Sequence, residues 1–201
     1  MDHTPISDEE LALRAQQGCA ESFDRLLRRF QTPVLHFLRR RGWGDNAEDL
    51  LQETFLRAYE NLHRYRARWP FSAWLFTIAR RTGINHCRRI RPTTDAAAVD
   101  AAPAADREPL DVLVAEESRR RLWDLAAGAL PEEQWTALWL HYAEDMPIRG
   151  IALVLGRSRA AVKILMFRAR KKLSPLLRRL EEEDRPRNKF CGNQCVAERV
   201  F

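Results

Sequence analysis

Apolar residues along this chain recur every three or four positions, with polar residues filling the gaps. That period predicts amphipathic helices. Ser7 and Glu10 form an S-x-x-E pattern that opens a first helix, which Gly18 can end. From Ala20 to about Arg41, Phe23, Leu26, Leu27, Phe30, Val34 and Phe37 or Leu38 share one face. Gly42-Trp43-Gly44 punctuates, and Asp45 or Asn46 stands where a cap is needed. Leu50, Leu51, Phe55, Ala58 and Leu62 then form the next apolar stripe. Residues 63–70, HRYRARWP, read as a loop ended by Pro70, and a further helix from about Phe71 turns Trp74, Leu75 and Ile78 inward. No alternating period-two run suggests a strand.

The second half repeats the helical pattern with sharper punctuation. One helix is predicted over 116–129, and Pro131, Glu132 and Glu133 open another that runs to about Tyr142. A short helix follows from Pro147 to Leu155, with Ile148, Ile151, Ala152 and Leu155 on one face. Gly156 breaks it, and Ser158 caps a helix over 159–173 whose inward face is Val162, Leu165, Met166, Ala169 and Leu173. A short helix, a glycine turn and a longer basic helix form a helix-turn-helix pattern. Between the halves, residues 91–109 read RPTTDAAAVDAAPAADREP, without an aromatic residue. Such a segment builds no core and reads as a linker. The expectation is all-α: an N-terminal domain over 1–91, a linker over 92–111, a C-terminal domain over 112–180 and a tail over 181–201.

Charge sharpens this division. The 201 residues carry a net charge of +6, which splits into +5 for 1–91, −6 for 92–117, +8 for 118–180 and −1 for 181–201. Two basic blocks suggest a polyanionic partner; a solvated face is the plain alternative. Hydrophobic residues make up 45% of the chain, enough for globular cores. No apolar run approaches the ~20 residues of a membrane span, and the acidic start MDHTPISDEE is unlike a secretory signal. The expectation is a cytoplasmic protein with no membrane insertion. No metalloprotease, phosphate-loop or nucleophile-elbow motif is present in the sequence, so no catalytic residue is assigned.

A recognition helix must expose donors near its N-terminus, where base edges lie in the major groove. With Val162 and Leu165 inward, Arg159, Lys163, Phe167 and Arg170 point outward; Arg157 and Ser158 lie in the turn. Arg168, Lys171 and Lys172 extend the positive stripe, and an outward Phe167 suits a thymine methyl or a sugar edge.

Asp45–Tyr59, DNAEDLLQETFLRAY, resembles region 2.2 of bacterial RNA polymerase sigma factors. Phe71–Arg89, FSAWLFTIARRTGINHCRR, is similar to the F-x-x-W-L-x-x-I-A-x-N segment that follows it in that family. Pro131–Leu138 and RGIALVLGRSRAAVKILMFRARKKL resemble region 4. The order of motifs across residues 7–180 is that of the extracytoplasmic function group of the sigma-70 family. This resemblance implies a non-catalytic protein that binds core RNA polymerase, at the largest-subunit clamp and the flap, and makes it promoter-specific. It implies that Asp49, Leu50, Gln52, Glu53 and Phe55 lie on or next to the polymerase surface. It places the minus-ten element against Arg64, Arg66, Arg68, Trp69, Phe71, Arg80, Arg81, Asn85, Arg88 and Arg89, because melted bases need aromatic surfaces and cations. It places the minus-thirty-five element against Arg157, Ser158, Arg159, Lys163, Phe167 and Arg168. An anti-sigma factor is the implied regulator.

The chain departs from the family pattern in places. Arg81 stands where many relatives have Asn, and the loop lacks the F-R-G wording. Ala161 replaces a usual Thr, and Ile164 and Leu165 stand where Ser and Arg are frequent, so promoter preference does not transfer from relatives. Phosphate contacts persist and imply strong salt dependence. The acidic linker is read either as a nucleic-acid mimic or as a spacer. Cys191 and Cys195 form C-x3-C in the tail. No cofactor is required, and the pair is read either as part of a metal or redox site, which needs further ligands, or as incidental. Cys19 and Cys87 read as small, buried or semi-exposed side chains. The rival is a transcriptional regulator of the LuxR type sharing only the helix-turn-helix; the region 2.2 segment argues against it.

Overall fold

The computed structural model describes residues 6–90 and 110–184, and the described elements are all helical. The N-terminal unit contains α1 (Asp8–Gln16), α2 (Ala20–Leu38), α3 (Ala47–Asn61) and α4 (Phe71–Ile90). The C-terminal unit contains α5 (Leu110–Ala129), α6 (Glu132–Tyr142), α7 (Ile148–Leu155) and α8 (Arg159–Asp184). Most of the expected linker lies outside the described residues; its last two positions, Leu110 and Asp111, already belong to α5.

Local chemistry explains most boundaries. The Glu10 N–H donates to Ser7 Oγ (3.2 Å), capping α1 as its sequence predicts. α2 stops at Leu38, short of the expected Arg41, because the chain widens into a π-type turn over Arg39–Trp43, with Gly42 at φ 90°. Asn46 occupies the position before α3 but makes no capping bond; a 3-10 turn over Gly44–Asn46 leads into the helix instead. Gly156 ends α7 in the left-handed conformation, and the Arg157 N–H turns back to the Ala152 carbonyl (3.0 Å). The Ala161 N–H donates to Ser158 Oγ (3.2 Å), capping α8. α8 outruns its expected end at 173 because Leu176 and Leu177 continue its inward face beyond Leu173.

Buried side chains from both units form one continuous cluster. Phe37 of α2 packs on Phe76 of α4 (5.4 Å between ring centroids) and on Trp135 of α6 (5.5 Å). Trp135 stacks on Trp139 (5.1 Å), and Trp123 of α5 closes the group at 4.8 Å from Trp139. α7 lies against α4, where Ala73 Cβ is 3.6 Å from the position a Cβ on Gly150 would take. Gly83 sits inside α4 despite the helix cost of glycine, because a Cβ there would fall 2.3 Å from the Trp43 ring.

Candidate polymerase and promoter interfaces

α3 separates its residues cleanly by face. Leu50 (1% exposed) and Phe55 (7%) point into the core, together with Ala47, Thr54 and Ala58. The expectation that Leu50 and Phe55 touch a partner is therefore corrected: their burial keeps them structural. The solvent face carries Asp49 and Gln52, with Glu53 half-buried and paired to Arg57 (2.6 Å). It also exposes two apolar side chains that the motif reading passed over, Leu56 and Tyr59, each 59% exposed. Helical spacing carries the signal for Leu56, which is sent outward once Leu50, Phe55 and Ala58 face inward; Tyr59, one turn beyond buried Phe55, is left at the rim of that face by the packing. Tyr59 is braced edge-on by Phe23 of α2 (5.0 Å).

The loop before α4 is held from three sides. Gln16 Nε2–H donates to the carbonyls of Leu62 (2.7 Å) and Tyr65 (3.0 Å). The buried Tyr65 hydroxyl donates to the Trp69 carbonyl (2.7 Å), and burial pushes its pKa up. The Phe71 N–H donates to Glu9 Oε1 (3.1 Å), placing a carboxylate at the start of α4. Neither Glu9 nor Gln16 carries a motif signature, since each acts through a long-range contact; Tyr65 acts within the loop itself. The clamped loop exposes Arg64, Arg66 and Arg68 and half-exposes Trp69. Phe71 is 1% exposed and packs on Phe30 and Tyr65 (both 5.5 Å). Its expected place at the DNA is corrected to a core role. Further along α4, Arg81, Asn85, Arg88 and Arg89 share one exposed stripe.

In the C-terminal unit, Arg157, Ser158, Arg159, Lys163, Phe167 and Arg168 are all exposed on or before α8, as the sequence predicts. Arg170, expected outward, is half-buried over the Tyr142 ring (5.6 Å). Arg157 pairs with Glu133 (3.0 Å), whereas Arg159, Lys163, Arg168, Lys171 and Lys172 have no acidic partner among the described residues. The turn before α7 is anchored by Trp139 Nε1–H donating to Glu144 (3.1 Å), a carboxyl whose pKa burial pushes up.

The two units meet through residues expected at DNA. Arg80 donates from Nε and Nη2 to both Glu132 oxygens (2.7 and 2.6 Å), a two-pronged pair largely withdrawn from solvent. Thr136 Oγ1–H also donates to Glu132 (2.9 Å). Arg68 (5.5 Å) and Arg149 of α7 (5.0 Å) each lie over the Trp69 ring. Arg41 stacks on Trp135 (5.7 Å), and its burial lowers its pKa while Glu132 acts in the opposite sense. Replacing Glu132 by Gln is expected to weaken the contact between units by ~1–3 kcal/mol, because Arg80 loses its counter-charge in a partly dry site. Small-angle scattering should report this as a larger mean radius than the parent's.

Cys191 and Cys195 lie outside the described residues. Cys87 is half-buried, as expected, whereas Cys19 is exposed just before α2. Among the described residues no helix is long and apolar enough to cross a membrane.

Comparison with known proteins agrees with this geometry. Residues 26–93 match Sigma-70 region 2, and residues 120–173 match Sigma-70, region 4. The chain is 33% identical over 173 residues to the ECF RNA polymerase sigma factor BldN of Streptomyces coelicolor, covering 84% of this chain and 65% of BldN's length. It is 30% identical over 186 residues to the ECF RNA polymerase sigma-E factor of Haemophilus influenzae, covering 86% of this chain and 98% of that protein. The solved structure of CnrH in complex with the cytosolic domain of CnrY superposes with a TM-score of 0.65 at 26% identity, covering 86% of this chain and 97% of that one. The chain therefore belongs to the sigma-70 family of RNA polymerase sigma factors, within its extracytoplasmic function group.

Proposed function

We propose that this sigma factor seats on the polymerase clamp through the outer face of α3: Asp49, Gln52, Glu53, Leu56 and Tyr59. The loop over 62–70 and the exposed stripe of α4 take the minus-ten element, and the exposed face of α8 takes the minus-thirty-five element. One observation carries the reading best, the exposed pair Leu56 and Tyr59 on a helix whose other apolar residues are buried or packed against the core. A DNA-binding regulator with only a helix-turn-helix has no use for that face. Phosphodiester chemistry then belongs to core polymerase, and the chain contributes no catalytic residue and needs no cofactor. It acts in the cytoplasm.

Arg80 and Trp69 are occupied by Glu132 and Arg149 in this arrangement. Promoter engagement therefore requires the two units to part, which frees both side chains for DNA. CnrH is solved with a protein partner, the cytosolic domain of CnrY. An anti-sigma factor that held these units together would keep Arg80 and Trp69 from the promoter.

Run-off transcription with purified core polymerase tests the function. Transcript from a cognate promoter is expected only when this chain is added, with binding that weakens steeply as salt rises. DNA binding by the free chain without any association with core polymerase would overturn the reading.

A further inference from the structure

The outer face of α8 is basic except at its centre. Arg159, Lys163, Arg168, Lys171 and Lys172 are exposed. Among them stand Ile164, 52% exposed, and Phe167, 66% exposed. These two are three positions apart, so their side chains are neighbours on one helix face. Ala160, one turn before Ile164, is also exposed and adds no polar group. Leu165 is only half-exposed and packs against the core, so the apolar surface belongs to Ile164 and Phe167.

Two apolar side chains in such a place need an apolar partner within a polyanionic one. The surrounding cations have no acidic partner among the described residues, so charge complementarity selects nucleic acid over a protein surface. Isoleucine can neither donate nor accept a hydrogen bond, and among base edges in the major groove only thymine presents a methyl group. Its branched side chain is already stiff in a helix, so little freedom is lost on contact.

We infer that Ile164, supported by Phe167, reads a thymine 5-methyl group in the minus-thirty-five element and sets a thymine preference there by apolar contact. This rests on the promoter-binding reading above and makes Ile164 a specificity-determining residue of α8. The basic neighbours hold the DNA backbone and position the helix; they contribute no preference at that base.

The test uses holoenzyme assembled from the full chain and core polymerase. Sites are selected from DNA randomised across the minus-thirty-five element. One thymine position is expected to be enriched, and uracil in its place, which removes only the methyl, should weaken binding about fourfold. With Ile164→Ser the thymine and uracil sites should bind equally, while Ile164→Val keeps a preference for thymine. Because Ile164 lies on the surface, both variants should melt like the parent. A parent holoenzyme indifferent to the uracil substitution would overturn the inference. So would an Ile164→Ser variant that weakens both sites equally, or one that loses a protein partner while keeping the thymine-to-uracil ratio. If no site is enriched at all, the promoter-binding reading itself falls.

Discussion

Replacing Leu56 with glutamate is expected to weaken association with core polymerase by about 30-fold or more, corresponding to ~2 kcal/mol. Leu56 is 59% exposed on α3 and is flanked on the same face by Gln52, Tyr59 and Glu60. An exposed leucine among polar neighbours gains most by burial in a partner's surface. A glutamate there must lose its hydration without a countercharge. The folded state should barely notice the change, because the side chain points into water. Titration of fluorescently labelled chain with core polymerase gives the affinity, and a melting curve gives the stability. Leu50 provides the opposite control: it lies on the same helix but is 1% exposed. Leu50→Ala should cost ~2–5 kcal/mol of stability through a core cavity. Equal affinity of parent and Leu56→Glu for core would remove α3's outer face from the polymerase contact.

Replacing Trp135 with alanine is expected to cost ~3–5 kcal/mol and to lower the melting temperature by roughly 10 °C or more. Trp135 is fully buried, stacked on Trp139 at 5.1 Å and tilted against Phe37 at 5.5 Å. Phe37 belongs to the N-terminal unit, so the loss is felt on both sides of the contact. Arg41, which stacks on the same ring, also loses its aromatic partner. Chemical denaturation should show a lower midpoint, and small-angle scattering should show partial separation of the units under native conditions. A Trp135→Ala variant with parental stability and radius would mean that the tryptophan cluster does not join them.

These expectations divide between what the chain announces and what it conceals. The helices, the glycine stop at Gly156 and the caps at Ser7 and Ser158 were legible because each depends on residues within one or two turns. The basic face of α8 was legible for the same reason: once Val162 and Met166 are inward, geometry sends Lys163 and Phe167 outward. Motif resemblance was less reliable for individual side chains. A motif records which positions matter, and Leu50, Phe55 and Phe71 matter because they build the core that holds the surface.

What the sequence determined by itself is therefore the fold class, the order of helices, the kinship and the sign of each surface. The kinship rests on motif resemblance; the rest follow from local periodicity and from charge along the chain. Only the tertiary structure decided that Glu9 and Gln16 fix the loop before α4 and that Arg80 is held by Glu132. Those contacts join residues up to 62 positions apart in the chain. No local pattern encodes such distances, because they arise from how packed helices bring remote side chains together.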